Sequence, residues 1–525
     1  MPAAPVPRSL RLELVVCLAV VGLAAVARGA IFMAPGVRFD ADQAVVGLMA
    51  KHISEGRAFP VYFYGQSYLL AVEAYLAAPV MWLLGPTEVA LKLPVLVMNA
   101  ATAALLVWRA HRDLGLRPRL ALAGALPLVV PPLVPGTRLM EAMGGNVEPL
   151  LYTLLLWTLR ARPWLFGLTF AVGLAHREMT IHAALALGLL ELAYRGRPSR
   201  AMWERWALAA LLVATVNGAV TAVRPFGAMF GPGTAARVAL NDMSGADAIS
   251  AQTCLDPARW PERARLLVGE HLPLMAGGFP GPTTDIGLSS SIGHGNPGLG
   301  PWVLTLTLAG LGLGWGAARR GAPPEDGLSA RICPAGAVTG EGLPGTALPW
   351  FLIVVGLSST LAYAFVACSP ISAGSLRYNL LVALVPAGAL LAGLRFPAPA
   401  ARAGLVTATV LWAALSLDDY RALAAEVHSG RWPDRRAEAI RALEARQVVA
   451  LWGEYRLAYI LSFRSEERVL VAPATGGRID DYTRRVAGKG APFVMQGTCV
   501  AGGEELTPGI WLCPAPPPHE RPPVY

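Results

Sequence analysis

The sequence predicts an α-helical polytopic membrane protein of about eleven spans, followed by a small α/β domain outside the membrane. Three observations carry this prediction. Hydrophobic residues make up 54% of the 525 and charged residues 15%, with a mean hydropathy of +0.47; that balance is too apolar for a water-soluble chain of this length. Arginines cluster in short segments between long apolar runs. Beyond residue 417 the pattern changes to short strand-like and helix-like stretches in alternation.

A helix needs roughly 20 residues to cross the hydrocarbon and must satisfy its own backbone hydrogen bonds there. Candidate spans fall near 12–33, 94–108, 120–135, 147–160, 164–176, 178–194, 206–223, 301–318, 349–367, 379–394 and 402–417. Arg8 and Arg11 precede the first run, which is too long for a secretion signal and lacks a closely following small-residue cleavage site. We read it as a retained span with its N-terminus inside. Alternation from there sends each arginine cluster to the cytoplasm: Arg109, Arg112, Arg117 and Arg119; Arg160 and Arg162; Arg195, Arg197, Arg200 and Arg205; Arg319 and Arg320; Arg395 and Arg402. The formal net charge of +9 therefore reports topology and argues against nucleic acid as a partner.

The same alternation places 34–93, 224–300 and everything after 417 outside. The chain divides into a membrane domain, 1–417, that includes the two external loops, and an outer domain, 418–525. Within 34–93, residues 41–55 and 68–84 have helical length and mixed polarity, as expected of helices at the membrane surface. Segment 224–300 is rich in Gly and Pro and reads as a long loop covering a site. Segment 319–348 reads as a low-complexity cytoplasmic linker. Gly310, Gly312, Gly314 and Gly316 lie inside a span and point to close helix packing. In the outer domain, strands at 448–452, 468–472 and 492–496 with helices at 454–463 and 480–487 suggest a βαβαβ unit. The six cysteines show no metal-ligand spacing; Cys499 and Cys513 stand together in the outer tail, where a disulfide is open to them, and Cys17 reads as a buried apolar residue.

The strongest chemical signal is Asp40 and Asp42 just after the first span. Two carboxylates this close can hold a divalent cation, or one can act as a base beside the other; equally, they can cap the helix that follows. His176, Arg177 and Glu178 are ionisable residues between two short apolar stretches, so they face a cavity or the outer interface, or Arg177 and Glu178 simply pair in a helical turn. Arg377 and Tyr378 open a span at its outer end, where a guanidinium can bind a phosphate or anchor the helix at the interface. Tyr64, Gln66, Glu73 and Glu148, with Glu141 and Asn146, are polar residues of the external loops able to contact a sugar.

Together Asp40-Ala41-Asp42-Gln43, the segment Phe63-Tyr64-Gly65-Gln66 to Glu73-Ala74-Tyr75, Leu84-Gly85-Pro86, Leu93-Pro94 and the Arg377-Tyr378 span resemble the GT-C membrane glycosyltransferases. The likeness is to the family 39-like branch, which includes protein O-mannosyltransferases and the aminoarabinose transferase of lipid A. Glu454-Tyr455 and Tyr459 resemble the tail of bacterial members. The resemblance implies a GT-C fold and an enzyme that transfers a sugar, with inversion, from a polyprenyl-phosphate donor to a lipid, glycan or protein acceptor at the outer face of the cell membrane. It implies that Asp42 is the catalytic carboxylate, with Asp40 supplying the charge of the glutamate that Gln43 replaces. Arg377, Tyr378, His176, Arg177, Glu178, Tyr64, Gln66, Glu73 and Glu148 become candidate substrate contacts, and a divalent metal ion at Asp40 and Asp42 is the one cofactor left open. The alternative is a non-catalytic membrane protein that binds or transports lipid-linked sugars, although no internal repeat supports transport.

Overall fold

The computed structural model describes residues 8–35, 37–66, 69–195, 198–227, 253–277, 299–319, 343–372, 374–429, 434–487, 491–499 and 502–514. Ten helices fill the first part: α1 Arg8–Phe32, α2 Ala41–Ser54, α3 Val72–Leu84, α4 Glu88–Leu114, α5 Pro118–Val129, α6 Leu133–Arg138, α7 Glu148–Leu159, α8 Pro163–His176, α9 Ile181–Arg195 and α10 Arg200–Gly227. The apolar helices Leu299–Arg319, Leu348–Phe365, Leu384–Gly393 and Pro399–His428 complete the bundle.

This is a membrane protein. Among the described residues six helices, including α1, α4 and Pro399–His428, are long and apolar enough to cross a bilayer. Their outward faces carry large apolar side chains such as Leu12, Leu23, Trp203, Leu211 and Leu411, which only lipid accommodates over so large a surface. Each of the eleven apolar runs is helical at its centre, but the helices at 118–129, 148–159, 163–176 and 181–195 have only 12 to 15 residues. The first ends ahead of Pro131-Pro132, the second begins at Glu148 and the third stops at His176 just before Arg177; proline cannot continue a helix and polar groups turned inward cannot be left in hydrocarbon. The four glycines of Leu299–Arg319 behave as a packing face in part. A Cβ at Gly310 would lie 2.5 Å from the Ala389 carbonyl oxygen and one at Gly314 2.6 Å from Ala392, whereas Gly312 faces open space.

The segments read as external hold more structure than their composition suggested. Segment 224–300 is not simply a loop: Trp260–Leu266, a π turn at Leu267–His271 and Leu272–Met275 form one continuous helical rod. It is tied to the loop before Arg377 by the Cys254–Cys368 disulfide; residues 228–252 and 278–298, like the linker at 320–342, lie outside the described residues. The last apolar helix does not end at 417 but runs on to His428.

The C-terminal domain contains the three expected strands, β1 Ala450–Gly453, β2 Leu470–Pro473 and β3 Phe493–Gln496, plus a hairpin of β4 Glu504–Thr507 and β5 Ile510–Cys513. The sheet order is β2-β1-β3-β5-β4. The first three strands are parallel and the hairpin is antiparallel. Crossover helices Tyr455–Arg464 and Asp480–Val486 link the parallel strands, and Leu451, Leu457, Leu461, Val471 and Val494 form the domain core. The Cys499–Cys513 disulfide is formed, and Cys17 is a buried free thiol.

The domain docks on α2. A Cβ at Gly47 would lie 2.6 Å from the Phe463 ring, so only glycine lets the two helices approach this closely. Beside that contact, Glu467 collects Lys51 Nζ at 2.6 Å, Arg57 Nη1 at 2.7 Å, His52 Nε2 at 3.1 Å and the Tyr482 hydroxyl at 2.8 Å. These partners hold its carboxyl far below the usual carboxylate range, against the opposing effect of burial. Arg436 donates to the Phe39 carbonyl at 2.6 Å, and Arg464 pairs with Glu88 at 2.9 Å.

Candidate active site

The two aspartates after α1 separate into different roles. Asp40 is the N-cap of α2, its Oδ1 accepting from the Gln43 N–H at 3.0 Å. Burial first, then the charge of Glu141, pushes its carboxyl up to about 6, while the Gln43 N–H opposes. Asp42 lies one residue into the helix, half-buried, and caps nothing. Its Oδ1 accepts from the Tyr455 hydroxyl at 2.7 Å, and its Oδ2 lies 3.5 Å from Arg377 Nη1.

Gln43, which stands where a second carboxylate was expected, is fully buried. Its Nε2 donates to the Arg38 carbonyl at 2.8 Å, and its Oε1 accepts from Ala142 N–H at 3.4 Å. The amide supplies a donor and an acceptor at once, which a carboxylate cannot do. Glu141 is held by Arg38 at 2.8 Å and Arg138 at 3.0 Å, and Asn146 Nδ2 returns to the Arg138 carbonyl at 2.8 Å. These bonds fix the 139–147 loop that runs past the site.

Further along that loop, Gly144 and Gly145 take φ of 80° and 106° and donate their backbone N–H groups to Glu73. Such backbone belongs to glycine. Glu148 lies against Glu73 with Arg177 nearby, and both carboxyls are buried. Extended backbone at Arg177, φ −145°, breaks the helix, so Arg177 faces this acidic pair and not Glu178 in a helical turn. The His176 ring shares a 3.1 Å hydrogen bond with the Tyr152 hydroxyl. Glu178 only opens a short 3-10 turn and has no polar contact with either cluster.

Arg377 enters from a 3-10 segment, Gly374–Ala383, that is kinked at Asn379. Its Nη2 donates to the Tyr378 hydroxyl at 3.0 Å, and its Nε is buried without a partner. Behind it, Asn379 bonds Thr360 at 3.0 Å and His271 at 3.2 Å, and Tyr363 bonds Ser375 at 2.6 Å. Arg263 of the 260–275 rod donates to the Ala364 and Tyr363 carbonyls. A single polar network thus positions Arg377 against Asp42.

Tyr64, an expected sugar contact, is engaged elsewhere. The Tyr64 hydroxyl is buried against His52 Nδ1 at 3.0 Å, next to Glu467, and serves domain docking. Gln66 sits in the same turn with its Oε1 buried and unpartnered. Conversely, the site acquires two residues that composition and spacing did not single out as site residues: Tyr455, noted only as part of the tail's resemblance, and Arg478. Only the docking of a domain more than 400 positions away brings them to Asp42.

The donor set does not fit a divalent cation. A cation there would be repelled by like charge: Asp42 is met by two guanidinium groups and a hydroxyl, and an Asp40 oxygen is engaged by a backbone N–H. Among the described residues no group of three or more His, Cys, Asp or Glu side chains is placed to hold a metal.

No family model matches the sequence, and no curated protein matches it. Similarity is found in solved structures. The apo structure of ArnT from Cupriavidus metallidurans aligns with a TM-score of 0.53 at 13% identity, covering 91% of this chain and 92% of ArnT. The structure of the same protein bound to undecaprenyl phosphate aligns at 0.54 and 12% identity, covering 96% and 99%. The likeness spans both the bundle and the C-terminal domain, and the chain therefore has the GT-C membrane fold.

Proposed function

We propose that the protein is a membrane glycosyltransferase that moves a sugar from a polyprenyl-phosphate donor to a lipid, glycan or protein acceptor at the outer face of the membrane, with inversion. The observation that carries this reading is the pairing of Asp42, a carboxylate with no capping duty, with Arg377 at 3.5 Å. Together they offer a base and an anion-binding group in one place. The GT-C fold supports it, as does the undecaprenyl phosphate held by one ArnT structure. Both disulfides lie on segments assigned to the outer side, and disulfides persist in oxidising compartments.

In this mechanism Asp42 Oδ2 accepts the proton of the acceptor hydroxyl as its oxygen attacks the anomeric carbon. The bond from that carbon to the phosphate oxygen breaks on the opposite side, and the electron pair leaves with the phosphate. Arg377 stabilises the charge that develops there. Glu73, Glu148 and Arg177 line the neighbouring loop as candidate sugar contacts.

The test is transfer of radiolabelled sugar from polyprenyl-phosphate donors by the purified protein in lipid, comparing wild type with Asp42→Asn. Label on an acceptor or in released sugar, lost in the variant, supports the reading. Donor binding without turnover in either protein would make the chain a lipid-sugar binding protein instead.

A further inference from the structure

We propose that Arg478, delivered by the C-terminal domain, is a second phosphate-binding group of the donor site, so that the site is complete only with the domain docked. This rests on the transferase reading of Asp42. Arg478 Nη2 lies 3.8 Å from Asp42 Oδ1, and Arg377 Nη1 lies 3.5 Å from Oδ2, so the two guanidiniums bracket one carboxylate from different oxygens. Both separations exceed hydrogen-bond length, leaving the N–H groups uncommitted to Asp42. Neither terminal nitrogen of Arg478 donates a hydrogen bond among the described residues.

The side chain is nevertheless held in place. Arg478 Nε donates to the Tyr455 hydroxyl at 2.7 Å, and the guanidinium lies 5.1 Å from the Phe63 ring centroid. Its backbone N–H is accepted by Tyr459. Gly65, at φ 70°, lets the first external loop close on it, since a Cβ there would lie 3.1 Å from the Arg478 Cα. An arginine fixed at its stem with its terminal donors free is arranged for a planar, bidentate contact with an anion outside the protein.

Charge bookkeeping favours two arginines over one. Before transfer, ionised Asp42 and the donor phosphodiester carry two negative charges. As the acceptor O–H proton passes to Asp42 and the sugar-to-phosphate bond breaks with its electron pair on the phosphate, Asp42 becomes neutral and the phosphate monoester becomes a dianion. The total stays at two, and two guanidiniums balance it at both ends of the step. Arg377 alone would leave an unmatched charge in a partly buried site.

The test is calorimetric binding of farnesyl phosphate and of neutral farnesol to the purified full chain in detergent. Arg478→Gln should weaken farnesyl phosphate binding about tenfold or more and leave farnesol unchanged. Arg478→Lys, which keeps the charge and tolerates the docked fold, should recover part of the loss. Farnesyl phosphate bound equally by wild type and both variants would overturn the proposal. So would equal losses for phosphate and alcohol, which would mark Arg478 as structural. A wild type that binds farnesyl phosphate through Arg478 but transfers no sugar would leave the anion site standing and remove the transferase reading.

Discussion

The Tyr455 hydroxyl donates to Asp42 Oδ1 at 2.7 Å, joining the C-terminal domain to α2 across 413 positions of sequence. The bond holds Oδ1, so Oδ2 is the oxygen left for an acceptor. Tyr455→Phe should lower kcat about tenfold and raise the donor KM as well, because the hydroxyl donates to Asp42 and accepts from Arg478 Nε, and a hydrogen bond to a charged group contributes about 1.5–3 kcal/mol. Steady-state kinetics with varied donor check this; an unchanged kcat would remove the positioning role.

Asp40→Asn separates capping from catalysis. Asparagine caps as well as aspartate, so transfer should stay within about threefold of wild type. Burial raises the Asp40 carboxyl from 3.8 to about 6, so between those values the folded chain holds a proton that the unfolded chain has released. Stability therefore falls as pH rises through that window, and the cost persists above it. The variant should unfold at higher temperature than wild type at pH 7, by the equivalent of at most about 3 kcal/mol, and show no gain below about pH 4. Thermal unfolding in detergent across that range measures both.

Gln43→Glu restores the expected carboxylate pair and should not raise activity. The new oxygens would face the Arg38 carbonyl inside a fully buried pocket, and an unsatisfied buried acceptor costs about 1–3 kcal/mol. A lower unfolding temperature with unchanged or reduced transfer is expected. A clear gain in kcat would show that the side chain reaches the acceptor.

Glu467→Gln should loosen the C-terminal domain. Lys51 and Arg57 would lose their shared carboxylate, and breaking a largely buried ion network costs about 3–5 kcal/mol. Limited proteolysis should release the domain faster from the variant, with transfer falling in step as Tyr455 and Arg478 leave Asp42.

Cys254→Ser should act on the Arg377 side of the site. The Cys254–Cys368 bond closes 114 positions of chain and tethers the external rod to the loop ahead of Arg377. Its removal should cost about 2–5 kcal/mol in stability and weaken donor binding more than acceptor binding. Matching thermal unfolding with donor titration tests this.

How far the sequence could be read depended on whether a feature is local. Apolar runs are local, so each predicted span has a helix at its centre. The three parallel strands are also local signals, being short runs of Leu, Val and Phe between polar turns. The β4–β5 hairpin was missed although Pro508-Gly509 marks its turn, because four-residue strands with exposed glutamates show no clear alternation. The rod at 260–275 was missed because its Gly- and Pro-rich flanks dominated the composition around it.

Sequence alone determined the membrane character and the order of the apolar helices and parallel strands, and it put Asp42 and Arg377 forward as candidates, since hydropathy, charge placement and a short motif are written along the chain. Tertiary structure decided the rest. Asp40 and Asp42 look equivalent in sequence, but only Asp42 points away from the helix cap. Gln43 looks like a lost catalytic residue, but burial makes it a brace between two backbone groups. Tyr64 looks like a sugar contact, but docking gives its hydroxyl to His52. Tyr455 and Arg478 enter the site only when the C-terminal domain folds back onto α2, because side chains 400 residues apart meet through packing that no local pattern encodes.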